Sequence, residues 1–275
     1  MRRALLFLFA SVLLAAGTPR RVVSQALGTD ELLLALAERG QIAALSHLAA
    51  DPKFSPVVQE AAAFPRLKDS DAESVLRHRP DLVLMASYTR AETRALLQRS
   101  GVKVVVLERF DTFEDLCANA RIVGEALGRR ARAEQVVAAW RARVDALAAR
   151  LKGAAPVRVI APSTYGFLAG RDTTFDDVCR HAGALNVAAE AGLQGHAPTP
   201  SEAMLGWRID ALVISDDERG DIAGRLAELP PYRFLAATKA KRFVRISGPA
   251  MSSISQARLD AYEQLARALH PERFR

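Results

Sequence analysis

The chain has 275 residues, half of them hydrophobic, and its 38 basic against 31 acidic side chains give a net charge of +7. This length and apolar content suffice for two compact lobes, whereas an aromatic content of only 6% and the absence of any nucleic-acid-binding motif argue against a partner that stacks bases. The basic residues are scattered, so they indicate either an ordinary solvated surface or attraction to an anionic ligand.

The first 17 residues have the layout of a secretory signal peptide. Arg2 and Arg3 precede an apolar run, residues 4–16, in which only Ser11 is polar, and Gly17 follows. The run is shorter than the roughly 20 apolar residues that a membrane-spanning helix needs. No cysteine follows the small residues, so a lipid anchor is not expected. We therefore predict cleavage near Gly17 and a mature protein that lies in the periplasm and is not embedded in the membrane.

Strand and helix patterns alternate through the first half of the mature chain. A buried strand (21–27) precedes a helix that Thr29 caps and Gly40 ends, and a short strand follows at 42–46. The later elements of this half are helices at 71–79, 91–100 and 112–127 and strands at 81–86 and 103–108. Strands that alternate with helices of about ten residues predict a parallel sheet covered on both faces.

No strand pattern is present between Arg129 and Lys152. Apolar residues recur there at intervals of three and four, which places them on one face of a single helix. At 1.5 Å per residue this helix would be about 36 Å long, and Gly153 would end it. Its position between two series of strands and helices favours a rigid connector over an ordinary surface helix.

One helix-turn-strand unit is present twice, once on each side of this connector. Residues 71–87 (DAESVLRHRPDLVLMAS) align with residues 200–216 (PSEAMLGWRIDALVISD), so that Glu73 matches Glu202 and Asp81 matches Asp210. Further strands are predicted at 156–161 and 242–247 and a closing helix at 253–270. The repeated unit, in corresponding places on either side of one long helix, predicts two lobes of similar construction.

Four stretches of the mature chain, together with the long helix between them, carry a family resemblance. They are RVVSQALGTDELLLALAERGQIAALSHLAADP, ESVLRHRPDLVLMA, FDDVCRHAGALNVAAEAG and SEAMLGWRIDALVIS. They resemble the helical-backbone class of periplasmic substrate-binding proteins, which serve ABC importers of ferric siderophores, haem and cobalamin. The resemblance runs from about Arg20 to Leu269. It implies an α/β fold with two Rossmann-like lobes, 18–128 and 153–275, joined by one connector helix, 129–152, with the ligand held in the cleft between them.

The resemblance also implies a permease of an ABC importer as partner. In this family an acidic residue at the top of each lobe meets basic residues of the permease, and Glu73 and Glu202 are the matching positions here. The alternative is that a Glu in the first turn of a helix is stabilised by the helix dipole and needs no partner. Its presence at the same position in both lobes favours docking. We expect a monomer that needs no cofactor, although its ligand can itself contain iron or cobalt.

Ligands of open α/β sheets bind beyond the carboxyl ends of the strands, and nine residues of the predicted loops there are candidate ligand contacts. Tyr88, Tyr165 and Phe167 can stack on a planar or macrocyclic ligand, or pack against their own lobe. Arg109 and Arg171 can pair with carboxylates of a siderophore or of haem. The remaining candidates are Gln25, His47, His196 and Asp216.

Two tyrosine–histidine pairs would suit the iron of a haem, because each takes one residue from either lobe. They are Tyr88 with His196 and Tyr165 with His47, and the sequence does not rank them. A bare metal ion would need three or four ligands from both lobes, which five scattered histidines do not supply. Two further residues, Cys117 and Cys179, lie in separate predicted helices and are expected to be buried free thiols.

Other functional classes fit the sequence less well. A nucleotide enzyme would show G-x-G-x-x-G or a P-loop after the first strand, but residues 24–31 (SQALGTDE) hold a single glycine. A serine hydrolase would show G-x-S-x-G, which residues 163–172 (STYGFLAGRD) lack. The sequence therefore favours an exported binding protein for a bulky metal chelate, with ferric siderophore first and cobalamin and haem next. The alternative is a non-transport receptor or scaffold with the same two-lobe fold.

Overall fold

The computed structural model describes residues 17–216 and 221–275. The predicted signal peptide therefore lies outside the described residues, apart from Gly17. Within the described ranges no helix combines the length and the apolar content needed to cross a membrane.

The first half of the described chain alternates strands and helices, as predicted. Its strands are β1 (Val22–Ser24), β2 (Ile42–Ala44), β3 (Leu82–Ala86) and β4 (Lys103–Leu107). Its helices are α1 (Leu27–Leu36), α2 (Val58–Ala61), α3 (Ala72–Leu76), α4 (Ala91–Arg99) and α5 (Phe113–Ala126), with a 3-10 turn at Arg39–Gln41. The strands form one parallel sheet in the order β2-β1-β3-β4. Every residue of β3 is buried, as expected for a parallel sheet covered on both faces.

Helix α6 (Arg130–Leu151) follows, and its limits agree within one residue with the connector predicted at 129–152. Its inward face is apolar, with Ala133, Val137 and Trp140 buried. The helix ends before Gly153, whose φ of +78° is a conformation that glycine adopts without steric penalty.

The second half builds a lobe of the same construction. Its strands are β5 (Val157–Ile160), β6 (Phe167–Ala169), β7 (Ala184–Asn186), β8 (His196–Pro198), β9 (Ala211–Ser215) and β10 (Phe243–Ile246). Its helices are α7 (Thr174–His181), α8 (Val187–Glu190), α9 (Ser201–Met204), α10 (Ile222–Glu228), α11 (Ala236–Lys239), α12 (Gly248–Ser252) and α13 (Arg258–Leu269), with 3-10 turns at Tyr232–Phe234 and Pro271–Phe274. The parallel sheet has the order β7-β5-β9-β10. This repeats the order of the first lobe and confirms the predicted two-lobe α/β fold.

The repeated unit has a structural reason that the sequence alone did not disclose. Asp81, just before β3, accepts a hydrogen bond at 3.0 Å from the backbone N–H of Arg21, just before β1. Asp210, just before β9, accepts one at 3.0 Å from the backbone N–H of Arg158 in β5. In each lobe the matched aspartate thus holds the strand that follows it, β3 or β9, against the neighbouring strand of the sheet, β1 or β5.

Some predicted limits were wrong, and side-chain hydrogen bonds explain two of them. Helix α1 begins at Leu27, because the Thr29 hydroxyl donates to the carbonyl oxygen of Ala26 at 2.7 Å and so lies inside the first turn. The closing helix begins at Arg258 and not at Ser253, since the Arg258 side chain donates to the Ser253 carbonyl oxygen at 2.8 Å. Helix α1 also ends at Leu36, before the predicted Gly40.

One hydrophobic core extends through both lobes and the connector. It includes Leu84 of β3, Trp140 of α6 and Val213 of β9, all of them buried. Burying each large apolar side chain contributes about 1.5–3 kcal/mol. Cys117 and Cys179 belong to the same core and are free thiols, as predicted. The lobes are therefore held together by shared packing as well as by α6.

Candidate ligand-binding cleft

An apolar cleft of about 650 Å³ opens between the lobes at the carboxyl ends of their strands. Tyr88 and Phe110, which follow β3 and β4, line it from the first lobe, and residues 161–163, which follow β5, line it from the second. The volume lies within the range of about 300–1,000 Å³ typical of small-molecule sites. Among the described residues, no lysine, arginine, aspartate or glutamate lines the cleft. The lining thus suits a ligand with a large apolar surface.

Tyr88 is the aromatic anchor on the side of the first lobe. Its ring is 58% exposed and meets Phe110 edge-on, with 5.6 Å between ring centroids. Partial burial, together with the nearby carboxylates of Asp30 and Glu31, raises the pKa of Tyr88 to about 12. The phenol therefore keeps its proton at neutral pH, and its hydroxyl is available for hydrogen bonding or for ligation of a cation.

The side of the second lobe is built on a short antiparallel ribbon, β6 and β8, which the sequence analysis did not predict. Phe167 pairs with Pro198 in this ribbon, and Ala169 pairs with His196. The ribbon carries Phe167 and His196 to the cleft, and the preceding loop carries Tyr165, which is 87% exposed. Strands of three residues leave too short an alternation to be recognised in a sequence.

The floor of the cleft includes Met251 and Ile254, neither of which was predicted from the sequence. Ile254 follows α12 and packs on Ala26 and Ala86 of the first lobe. A Cβ placed on Gly28 would lie 1.9 Å from Cγ1 of Ile254, far inside carbon–carbon contact distance. Any larger residue at position 28 would therefore force the Ile254 side chain to move. The sequence contains the single glycine of SQALGTDE, but it gives no sign that Ile254 packs against it.

The structure places the remaining predicted contacts outside this cleft. Gln25 and His47 line a neighbouring pocket of the first lobe. Arg109 points to solvent and pairs with Asp115 at 3.4 Å. Arg171 lines a separate small pocket on the second lobe. The exposed carboxylate of Asp216 accepts a hydrogen bond at 3.3 Å from the backbone N–H of Gly248.

Of the two predicted tyrosine–histidine pairs, Tyr88 and His196 line the same cleft, whereas Tyr165 and His47 line different pockets. Within the ranges that the structure describes, no group of three or more histidine, cysteine, aspartate or glutamate side chains is arranged to hold a metal ion.

Comparison with known proteins decides the family. The model of the periplasmic binding protein family matches residues 22–250, which is most of the chain. The chain belongs to the periplasmic binding protein family. The uncharacterized ABC transporter substrate-binding lipoprotein YvrC of Bacillus subtilis (strain 168) is 20% identical over an alignment of 266 residues that covers 94% of this chain and 82% of YvrC.

Solved structures agree on the fold of this periplasmic binding protein. The apo form of the periplasmic heme-binding protein RhuT from Roseiflexus sp. RS-1 has a TM-score of 0.77 at 23% identity, over 90% of this chain and 98% of RhuT. The vitamin B12 binding protein BtuF of Vibrio cholerae has a TM-score of 0.72 at 16% identity, over 94% of this chain and 99% of BtuF. Membership of this family confirms the prediction that the protein is a binding protein and not an enzyme.

Arg258 joins the two lobes of this periplasmic binding protein beneath the cleft. Its side chain is fully buried. Its guanidinium donates to the carbonyl oxygens of Phe110 at 2.5 Å and Asp111 at 3.1 Å in the first lobe. It also contacts the carboxylate of Asp177 in the second lobe at 3.3 Å. One cation thus satisfies acceptors from both lobes in a place that water does not reach.

Asp177 is the anion that balances Arg258. Although burial opposes its ionisation, hydrogen bonds from His181 and Tyr262 and the charge of Arg258 hold the pKa of Asp177 below its usual value. Its other oxygen accepts from the backbone N–H of Phe113 at 3.2 Å, at the start of α5. The buried pair is therefore ionised and hydrogen-bonded on both sides of the junction between the lobes.

A second junction lies at Glu31, in the first turns of α1. The side chain is buried and accepts hydrogen bonds from the hydroxyls of Ser253, at 2.9 Å, and Ser255. Burial raises the pKa of Glu31 to about 7 despite these hydrogen bonds. Ser253 and Ser255 flank Ile254 of the cleft floor, so the segment that contacts the ligand space also fastens the lobes.

Glu73 and Glu202 occupy equivalent, exposed positions in the periplasmic binding protein fold. Each is the second residue of a short helix, α3 before β3 and α9 before β9. Glu73 also pairs with the exposed side chain of Arg77 at 2.6 Å. Both glutamates are therefore accessible to solvent.

Proposed function

We propose that this periplasmic binding protein carries haem, or a metal macrocycle of the same planar kind, to an ABC importer. The observation that carries the proposal is the convergence of Tyr88 from one lobe with Tyr165, Phe167 and His196 from the other on a single apolar cleft. A planar ring gains most from such a cleft, because aromatic side chains can cover both of its faces. The fold likeness to the heme-binding RhuT supports the same class of ligand.

The cleft changes the order of preference that the sequence suggested, in which a ferric siderophore came first. Ferric siderophore complexes present polar oxygen atoms around the iron, for which the apolar lining of the cleft offers few hydrogen-bond partners. Cobalamin is larger than haem and carries amide groups around its ring, for which an apolar lining offers few hydrogen-bond partners. Haem therefore becomes the first candidate.

Tyr88 and His196 are the proposed ligands of the haem iron, one from each lobe. A phenol whose pKa is raised to about 12 is neutral in the empty protein, and ferric iron would displace its proton on binding. An imidazole is a further donor of the kind that proteins use for haem. Tyr165 and Phe167 would cover the ring and exclude water from it.

A binding panel tests this proposal. The mature protein is mixed separately with haemin, cobalamin and several ferric siderophores, each mixture is desalted, and its visible absorption spectrum is recorded. We expect retained haemin at one-to-one stoichiometry with a Soret band shifted from that of free haemin. Retention of cobalamin or of a siderophore alone would replace haem as the ligand. If every sample emerges colourless, a non-transport receptor or scaffold becomes the better explanation.

Export and delivery are part of the same proposal. The predicted signal peptide would place the mature protein in the periplasm as a monomer, and Glu73 and Glu202 would dock one lobe each onto basic residues of the permease. Paired exposed charges of this kind orient a complex and accelerate its formation.

The double variant Glu73→Ala/Glu202→Ala is expected to reduce haem uptake through the reconstituted importer severalfold while leaving haemin binding unchanged. The reason is that both glutamates are exposed and outside the cleft lining. Glu92→Ala is the matched control, because Glu92 also lies in the first turn of an exposed helix, α4. Uptake equal to that of the unmodified protein, with the fold intact, would rule out docking through these residues.

A further inference from the structure

A second pocket, of about 400 Å³, adjoins the cleft on the side of the first lobe. We call it the side pocket. It lies at the carboxyl ends of β1, β2 and β3, where Gln25, Ser46, His47 and Arg90 contribute to its lining. Tyr88 lines both the cleft and the side pocket, as does Ser252. A ligand bound in the cleft therefore lies directly beside the side pocket.

The side pocket has an arginine in its lining, whereas the described lining of the cleft has none. Arg90 and His47 are both exposed in its lining, and no aspartate or glutamate lines it among the described residues. Arg90 has no ion-pair partner in the part of the chain that the structure describes, whereas Arg109 is paired with Asp115. The nearby carboxylate of Asp30 is buried and already accepts hydrogen bonds from the backbone and hydroxyl of Ser46.

Side-chain hydrogen bonds hold the loop that carries Tyr88 and Arg90 in place. The Thr89 hydroxyl donates to the side-chain oxygen of Gln25 at 2.7 Å, and the Gln25 amide donates to the carbonyl oxygen of Ser70 at 2.9 Å. Gln25 and Thr89 are both buried. With the backbone held, only the side chain of Arg90 has to become ordered on binding, which limits the entropic cost of using it.

We propose that the side pocket binds the acidic substituents of a ligand whose apolar body occupies the cleft, with Arg90 as the main donor to a carboxylate and His47 as a second donor. The inference rests on the proposed function and adds to it a site that selects ligands by their charge. A guanidinium can hold a carboxylate through two parallel hydrogen bonds, which fixes orientation as well as affinity. The side pocket would thus determine which edge of the macrocycle points into the first lobe.

The test compares haemin with its dimethyl ester, which has the same ring and iron but no carboxylate. Both are titrated into the unmodified protein and into the Arg90→Gln, Arg90→Lys and Arg99→Gln variants, and affinity is read from the Soret band. Arg99→Gln is the matched control, since it removes an exposed arginine at the other end of α4. We expect Arg90→Gln to weaken haemin binding by about tenfold or more, the loss typical of one charge-assisted hydrogen bond, and to leave ester binding unchanged.

Recovery of part of the haemin affinity in Arg90→Lys would support a charge contact. Equal weakening of haemin and ester in Arg90→Gln would overturn the inference, because Arg90 would then act on the ring or on the fold. Unchanged affinity for both ligands, or an equal loss in Arg99→Gln, would overturn it as well. If the unmodified protein binds neither ligand, the proposed function itself fails and the inference falls with it.

Discussion

Replacing Tyr88 with Phe is expected to weaken haemin binding by about tenfold or more and to shift the Soret band of the bound ligand. The Phe ring keeps the edge-on contact with Phe110, but it has no oxygen to bind ferric iron. A tenfold loss of affinity corresponds to about 1.4 kcal/mol of binding free energy. Titration followed by visible absorption measures both the affinity and the band.

Tyr165→Phe is the matched control for this substitution, because Tyr165 lines the same cleft from the opposite lobe. We expect it to leave the Soret band in place, since only the hydroxyl of an 87% exposed side chain is removed. The reverse pattern, with the band lost in Tyr165→Phe alone, would transfer the role of iron ligand to Tyr165. If neither variant alters the spectrum, ligation by tyrosine is wrong and His196→Ala becomes the decisive variant.

Arg258→Met is expected to lower the free energy of unfolding by about 3–5 kcal/mol, the usual loss when one partner of a buried ion pair is removed. Methionine fills much of the same volume, but it removes the cation that balances Asp177 and the donor to the carbonyl oxygens of Phe110 and Asp111. Urea denaturation followed by circular dichroism gives the free energy of unfolding directly.

The control for Arg258→Met is Arg143→Met, which makes the same substitution in another arginine that contacts α13. Arg143 pairs with Asp260 and Glu263 at a partly exposed position, so we expect its loss to lower the free energy of unfolding by about 1 kcal/mol or less. Equal losses in the two variants would show that burial of Arg258 at the junction of the lobes does not make its contacts stronger than surface ones.

The two-lobe plan was readable from the sequence because it depends on local patterns. The apolar face of α6, with Val137 and Trp140 at helical spacing, identified the connector within one residue of its observed limits. The duplicated unit identified Glu73 and Glu202 as equivalent, and the strand order confirms that equivalence. Hydrophobic periodicity and repeated spacing can be read from the sequence, because each depends on how a single helix or strand packs against the core.

The composition of the cleft was predictable only in part. Tyr88, Tyr165, Phe167 and His196 were proposed from the loops that follow strands or lie near them, and the structure brings all four to one cleft. Arg109 was proposed by the same reasoning, but its side chain points to solvent. A strand end in the sequence specifies which loop lies at the edge of the sheet, whereas the direction of each side chain depends on the neighbours it finds there.

By itself the sequence determined the α/β class, the two similar lobes, the connector and some of the loops that line the cleft. Only the tertiary structure decided that Ile254 packs against Gly28 beneath the cleft and that Arg258 is bound by acceptors of both lobes. It also placed Arg90 beside Tyr88 in the side pocket, with no ion-pair partner among the described residues. The physical reason is the separation along the chain of the residues that interact. Helices and strands follow from residues two to four positions apart. These contacts join residues far apart in the chain, and they form only when two complete lobes pack together.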